Sequence, residues 1–384
     1  MRINTLCPDH ISNVGGPSYA CHSILEALNQ AGIDAPLYCV SSENSVHQPF
    51  HRLSIPLWAK PLGYRLFSDS FLKKYTQWRY LRSFKQQDIA YLWPGTSLDT
   101  YRSLKAAGHI LVTENVNTHQ ATGKKIMDAE YQRLGLMPTH GILENSVADE
   151  CSKLELIDYV FSPGSEVTRS LLDAGVPNEK IIPTSYGFDE SSILLPDEVS
   201  ARANRTELTA IFVGRIGIRK GVHLLLDYWV KAGVKGKLKL VGRIDPAAMP
   251  LIEPYLRRDD IEHVPFTYDL RSVYLNADVL LLPSLEEGSP LVTYLALGAG
   301  LPSIVSPMGG GGIITDGVEG LLADPHDADA WVESLRKLFA DSSLRQRLSA
   351  SAYSSAEKYL WRNVGRRRAE SLLARLASKG ISQE

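Results

Sequence analysis

The chain is poor in cysteine: Cys7, Cys21, Cys39 and Cys151 are the only four, and they form no C-x-x-C pair or metal-ligand spacing. That argues against a disulfide scaffold or a zinc ribbon and makes a reducing cytoplasm the expected setting. Long hydrophobic runs are missing too. The opening MRINTLCPDH runs directly into a strand-like segment without the apolar stretch of a signal peptide, and no later segment is apolar enough to span a bilayer. Charge of one sign is absent: 41 basic residues stand against 43 acidic ones, leaving a net charge of -2. No global field draws the protein to nucleic acid, so any anion site must be local. No G-x-G-x-x-G follows the first strand and no G-x-x-x-x-G-K-[ST] occurs anywhere, which counts against dinucleotide oxidoreductases and P-loop enzymes. The ten histidines form no H-E-x-x-H or paired Cys/His set, so no metal is expected.

What is present is an ordinary globular composition, 44% hydrophobic and 22% charged over 384 residues, enough for two or three domains. Short β-rich runs alternate with helical patterns, the signature of parallel sheets with helices on both faces. A first series places strands at Arg2 to Leu6, Pro36 to Val40, Ile89 to Trp93, Ile110 to Thr113, Tyr159 to Ser162 and Ile181 to Pro183. A second places them at Thr209 to Val213, Lys237 to Val241, Val279 to Pro283 and Ser303 to Ser306. The polar stretch Asp189 to Thr206 between them reads as a linker. The expected organisation is therefore a first Rossmann-like domain over 1–188, a linker over 189–206, a second Rossmann-like domain over 207–350 and a helical C-terminal segment over 351–384.

Ligands of open parallel sheets bind beyond the carboxyl ends of the strands, which directs attention to the loops after Leu6, Thr113, Val213, Pro283 and Ser306. After Val213 comes GRIGIRKG, where Arg215 and Lys220 flank a glycine turn beginning at Gly214. Arg offers a fork of donors and Lys a mobile point charge, a pair suited to a diphosphate; a basic surface turn is the alternative. After Pro283, a loop with Glu286, Glu287, Gly288, Ser289 and Pro290 leads into a helix starting near Leu291 and Val292. Free amides at that start offer an anion site, and a carboxylate accepts sugar hydroxyls; either glutamate alone is also a common dipole partner or solvated residue. Early in the chain, Gly15 and Gly16 precede Pro17, allowing close backbone approach or simply a turn.

Together these features resemble the retaining GT-B glycosyltransferases of family 4 (glycosyl transferases group 1), across essentially the whole chain. The match rests on Gly15-Gly16, the segment Glu155 to Asp189, GRIGIRKG, the EEGSP loop, GAGLPSIVS and DGVEGLLADP. The resemblance implies two Rossmann-like domains facing across a cleft, with a C-terminal helix crossing back near Tyr359 and Trp361. It implies a nucleotide diphosphate sugar as donor substrate, with no separate cofactor, and a saccharide or lipid-linked acceptor. It places Arg215 and Lys220 on the diphosphate, Glu287 and the amides of Ser289 to Val292 on the sugar and phosphates, and Gly16 opposite. His119, in ENVNTHQ, occupies the kind of place where the family puts a histidine near the donor sugar, with local capping or packing as its alternative and Glu114 and Asn115 as rivals.

The pattern departs from the family in two places. Eight residues after Glu287, where a second carboxylate usually holds the ribose, stands Leu295, leaving Thr293, Tyr294 or backbone groups as substitutes. The glycine run Gly309 to Gly312 lacks the usual glutamate and predicts a loose loop. A weakly active or inactive sugar-nucleotide-binding protein and a GT-B epimerase are therefore the competing classes. Other features read as structural. Asp327 and Asp329 cap the helix that follows rather than forming a metal site, and Arg366, Arg367 and Arg368 form a solvated helix face rather than a nucleic-acid site. The stretch Trp58 to Lys85 interleaves cations with aromatics, either packing on the first domain or making peripheral contact with an anionic membrane at its inner face.

Overall fold

A computed structural model describes residues 2–13, 15–201, 205 and 207–378. Part of the expected linker (202–204 and 206) and the last six residues of the expected C-terminal segment (379–384) lie outside the described residues.

The first sheet is parallel and seven-stranded. Its strands are β1 (Ile3–Leu6), β3 (Leu37–Cys39), β5 (His51–Leu53), β6 (Ile89–Leu92), β7 (Ile110–Glu114), β8 (Tyr159–Ser162) and β9 (Ile181–Pro183), in the order β5-β3-β1-β6-β7-β8-β9. Two short strands, β2 (His10–Ile11) and β4 (Ser41–Ser42), pair beside it. The second sheet is also parallel and runs β12-β11-β10-β13-β14-β15. It contains β10 (Thr209–Val213), β11 (Lys237–Val241), β12 (Ile261–Val264), β13 (Val279–Leu282), β14 (Ser303–Val305) and β15 (Gly320–Leu322). The central strands β1, β6 and β13 are buried along their whole length, as strands covered on both faces must be. Two doubly wound sheets of this kind make the fold GT-B.

Three edge strands, β5, β12 and β15, escape sequence reading because HRL, IEHV and GLL are short and face water on one side. The stretch Asp189 to Thr206 is more than a linker: its described part contains the helix Pro196–Ala201, and Leu194 is fully buried against the second sheet's core. The helical run beyond Ala328 breaks into Ala328–Ala340, Ser342–Ala356 and Trp361–Ser378, the second capped by Asp341, which accepts from the Leu344 amide. Asp327 caps the first by accepting from Ala330 N, so that carboxylate has the capping role read from the sequence.

In each sheet the strand order reverses once, between β1 and β6 and between β10 and β13. A crevice opens at such a switch point beyond the carboxyl ends of the strands. The two crevices are supplied by the loops singled out above: one after β1, the other after β10 and β13.

The last helix, Trp361–Ser378, crosses to the first sheet and packs along Gly16–Gln30, with Gly365 giving the close approach to Ala27. Here the reading of a solvated arginine face is corrected. Arg368 is 2% exposed and makes a two-pronged pair with Glu114 at the end of β7, 2.9 and 3.1 Å. Its remaining donors reach the Ser185 carbonyl at 3.0 Å and the Tyr91 hydroxyl at 3.3 Å. Positions 366 and 367 do face outward to different degrees, but helical geometry turns 368 inward, one more step of about 100°. Among the described residues, no helix is long and apolar enough to cross a membrane.

Removing one partner of a buried, paired charge strands the other. Arg368→Met should therefore cost roughly 3–5 kcal/mol in urea denaturation, and adding Glu114→Gln should restore much of it. A loss below about 1 kcal/mol, the range of exposed pairs, would show the pair to be energetically idle.

Candidate active site

The two loops of the second sheet are built against each other. The amide of Leu285 donates to the Arg219 carbonyl at 2.9 Å, tying the turn after β10 to the loop after β13. Gly221 joins that turn to the helix Val222–Ala232 with φ +68, and a Cβ there would strike the Pro283 carbonyl. Only glycine allows this approach with positive φ.

Two cations and two carboxylates meet at this junction. Lys220 Nζ pairs with Glu287 Oε1. Arg219 Nε lies 2.6 Å from Glu286 Oε2 and 3.1 Å from the Glu286 carbonyl. The glutamates are 2% and 8% exposed, which corrects any reading of them as solvated or as mere dipole partners. Burial works against the charged form of Glu287, yet Lys220 and Arg219 outweigh it and hold its carboxyl below the ordinary glutamate value. For Arg219 burial likewise disfavours charge, and Glu287 and Glu286 more than compensate, so its affinity for the proton rises. Arg219 escaped the sequence reading because the adjacent Lys220 matched the family pattern; the doubled RK and EE were the available signal.

Arg215, also predicted, stands apart. Its side chain is 71% exposed and bonded to Asp245 at 3.0 Å. Lys220 lies across Gly214, whose Cβ would sit 3.3 Å from Lys220 Cε. Beyond the glutamates, Pro290 precedes the helix Leu291–Gly298; the Thr293 amide donates to the Pro290 carbonyl at 3.0 Å, and the amides at a helix start otherwise lack an acceptor within the helix. Ser289 Oγ bonds to the Tyr294 hydroxyl at 2.6 Å, and that hydroxyl accepts from Tyr186 N at 3.0 Å. Thr293 donates to the Gly309 carbonyl at 2.8 Å. Both substitutes proposed for the missing ribose carboxylate are thus engaged elsewhere, and Leu295 packs with the apolar core.

The first domain reaches this site through backbone. A Cβ on Gly288 would collide with the Val116 carbonyl, and one on Gly164 would lie 2.6 Å from the Gly288 carbonyl and 3.1 Å from that of Gly311. Thr118 donates to Glu286 Oε1 from its hydroxyl at 2.7 Å and from its amide at 3.3 Å. The glycine run is not loose, as its composition suggested. Pro307–Gly310 forms a helical turn capped by Ser306, and a Cβ on Gly309 would strike the Leu282 carbonyl. These glycines are fixed by contact, because they let three backbones meet.

His119 follows Thr118 but turns inward. It caps the helix Gln120–Arg133, its Nδ1 accepting from Ala121 N at 3.2 Å. In the neutral ring the proton is therefore on Nε2, which faces Glu150 at 3.4 Å and Cys151 Sγ at 3.7 Å. Burial lowers the ring's proton affinity below that of an ordinary histidine and lifts the Glu150 carboxyl to about 7. This is the capping arrangement, with the ring's partners all in the first domain. Its rivals are placed as well: Glu114 belongs to Arg368, and Asn115 donates to the Asn117 carbonyl. Gly15 and Gly16 hold φ +78 and +81, and a Cβ on either would meet open space, so backbone conformation rather than crowding calls for glycine there. Among the described residues, no group of three His, Cys, Asp or Glu side chains is arranged to hold a metal ion.

Residues 197–355 match the family model described as glycosyl transferases group 1. A D-inositol 3-phosphate glycosyltransferase of Xylanimonas cellulosilytica is 26% identical over 208 residues, 50% of each chain. One from Corynebacterium urealyticum is 33% identical over 174 residues, 41% of each. The chain thus spans about half the length of the curated relatives it matches. Among solved structures, sucrose-phosphate synthase from Thermosynechococcus elongatus superposes with a TM-score of 0.73 at 20% identity, covering 98% of this chain and 99% of that one. Anabaena HepE in complex with UDP-glucose does so with 0.69 at 13%, covering 97% and 100%. Both are similar in fold over essentially their whole length.

Gly288→Ala should force the loop away from Val116. Overpacking of this kind costs about 1–3 kcal/mol, and small-angle scattering should show a larger radius of gyration. An unchanged scattering curve and unchanged stability would mean that the two loops do not meet in solution.

Proposed function

We propose that the protein transfers a sugar from a nucleotide diphosphate sugar to an acceptor hydroxyl, retaining the α configuration, at the crevice between its two sheets. The observation that carries the reading is the Arg219, Lys220, Glu286, Glu287 cluster at the switch point of the second sheet, within residues matching the group 1 family. The structure of HepE in complex with UDP-glucose, similar in fold, supports a sugar-nucleotide donor.

The cluster is internally neutral, two cations against two carboxylates. A diphosphate therefore gains most if Lys220, on its flexible stem, leaves Glu287 for a phosphate oxygen, with exposed Arg215 closing from outside. Glu287, released, is an acceptor-only carboxylate suited to the donor sugar's hydroxyls, and the amides from Ser289 to Val292 complete the anion site. Gly15 and Gly16 leave room for the donor's diphosphate from the first domain. As the leaving group departs, its growing charge falls on Lys220, Arg215 and those amides, and the diphosphate takes the acceptor's proton on the same face. In this reading Glu286 and Arg219 position the loop through Thr118, and His119 holds that loop rather than touching the sugar. No divalent ion is required by this donor set.

Arg215→Ala and Lys220→Ala, assayed with a chelator present throughout, should each lower nucleotide release in the presence of acceptor by on the order of 100-fold; the melting temperature should hold in Arg215→Ala and fall in Lys220→Ala, which leaves buried Glu287 without its Lys220 partner. Near-normal turnover in both would reject the assignment. Wild-type activity that vanishes with chelator and returns with Mg²⁺ or Mn²⁺ would reject metal independence, and donor binding without turnover would favour a binding protein.

With Thr293 and Tyr294 engaged and Leu295 apolar, the ribose lacks a carboxylate partner. Calorimetry should find the 2′-deoxy donor bound within about threefold of the parent, since an absent acceptor cannot sense a missing hydroxyl. A 100-fold preference for the ribose form would assign another residue to it.

A further inference from the structure

The stretch Trp58 to Lys85 is absorbed by neither fold nor site. Seventeen large apolar side chains are strongly exposed among the described residues, and eight of them, Trp58, Leu62, Tyr64, Leu66, Phe67, Phe71, Tyr75 and Trp78, lie within 21 positions. Chance exposure of isolated apolar groups is ordinary; a contiguous patch is not.

Helix geometry explains why they gather. In Asp69–Leu81 the buried residues include Leu72, Thr76 and Tyr80, a stripe anchored by Tyr80 OH donating to the Asn4 carbonyl at 2.7 Å and by Thr76 meeting Ser54 at 2.7 Å. At 100° per residue, positions 71, 75, 78 and 82 fall on the opposite side. There the rings stack in sequence: Phe67 on Phe71 at 5.1 Å, Phe71 on Tyr75 at 6.3 Å and Tyr75 on Trp78 at 5.7 Å, with Arg82 lying 4.3 Å over Trp78. The preceding helix, Lys60–Leu66, is seated on Ile55 through Gly63 and leaves Leu62 and Leu66 outward. Both alternatives read from the sequence are thus half right: the helices do pack on the first domain, yet it is the aromatics, and not only the cations, that face out.

Charge selects the occupant. Residues 58–85 hold seven cations and one acid, Asp69, in a chain whose total is -2. Lys73 is taken by Asp9 and Asp69, whereas Arg65, Lys74, Arg82 and Lys85 are exposed. A second copy of the same face would bring like charges together, and a neutral glycan would gain nothing from the cations or from Leu62 and Leu66. We propose that this face lies on an anionic lipid bilayer, its aromatic rings at the headgroup level and its lysines and arginines on lipid phosphates.

The patch is also tied to the crevice. Lys73 binds Asp9 at 2.7 Å and Tyr64 OH meets Ser41 Oγ at 2.8 Å, so the two helices are fastened to the loops beyond the carboxyl ends of β1 and β3. A bilayer held there borders the first domain's side of the crevice. Resting on the glycosyl-transfer reading above, the acceptor class that follows is a membrane-borne hydroxyl compound rather than a freely diffusing sugar.

Flotation of the full chain with vesicles tests the surface without any donor. Vesicles with about one-third phosphatidylglycerol should carry the protein at low salt. Binding should fall roughly fivefold for each exposed cation neutralised in Arg65→Gln and Lys74→Gln, the equivalent of about 1 kcal/mol per cation. Phe71→Ser with Trp78→Ser should abolish it with melting temperature and calorimetric donor affinity unchanged, since both rings are exposed. Equal failure to bind anionic and phosphatidylcholine vesicles, binding indifferent to these four substitutions, or a concentration-dependent dimer that the serine variants dissolve would each overturn the proposal. Donor binding measured on the same samples keeps this outcome separate from the fate of the glycosyl-transfer reading.

Discussion

A guanidinium buried where water cannot reach it sets the relation between the two halves of the molecule. Taking Arg368 and Glu114 out of water costs several kcal/mol per ion, recovered only if geometry is good and every remaining donor is met. Here the fork is two-pronged, the Ser185 carbonyl and Tyr91 hydroxyl take further donors, and Phe161 lies 4.9 Å beneath the guanidinium. The last helix therefore cannot slide along the first sheet without stranding charge. Glu114 ends β7, and the four residues after it carry the Val116 carbonyl against Gly288 and Thr118 against Glu286. One strand end thus fixes both the returning helix and the loop that meets the candidate site.

A second ionic contact crosses between the halves. Glu130, on the helix Gln120–Arg133, lies 2.6 Å from His223 of the helix Val222–Ala232 and 2.6 Å from Arg133. Burial opposes its charge, but Arg133 and His223 prevail and bring the carboxyl down to about 2. A carboxylate depressed in the folded state stabilises above its unfolded value, near 4.5, and loses that contribution as pH falls toward 2. The carboxylate side of the contact therefore stays charged through the whole neutral range.

Much of this was legible in the sequence, and the misses have a common cause. Buried strands such as VLLL at 279–282 are unmistakable because both faces are covered, whereas HRL at 51–53 and IEHV at 261–264 lie at sheet edges and have no apolar signature. The glycine run was read from composition as loose, although glycine is equally the residue that lets backbones touch; only contact with Leu282 and Gly164 tells the two apart. Arg368 looked solvated because RRR carries no sign of which member faces inward, and that depends on a helix 250 residues beyond its partner. At the site, Lys220 and Glu287 could be found by pattern and do pair, and Glu286 was read beside them, while Arg219 was hidden by standing next to Lys220. His119 caps the helix Gln120–Arg133, the local alternative that sequence alone left open.

The same distinction between backbone and side chain bears on how the crevice works. Where the loops of the two halves approach most closely, Gly164, Gly288, Gly311 and Gly312 meet carbonyls, amides and Ser165, and the Thr118–Glu286 and Glu130–His223 contacts add side chains to that backbone junction. At the margin of this junction stand two cations, Arg215, mostly exposed and bonded to Asp245, and Lys220, paired with Glu287. Such a pair suits a ligand whose charge is constant and whose outer parts vary. The diphosphate is the constant part of every sugar nucleotide, and in the proposed reading recognition is concentrated on the phosphates and the sugar, with Leu295 offering the ribose nothing polar and selection among acceptors left to the first domain and its proposed lipid-facing surface.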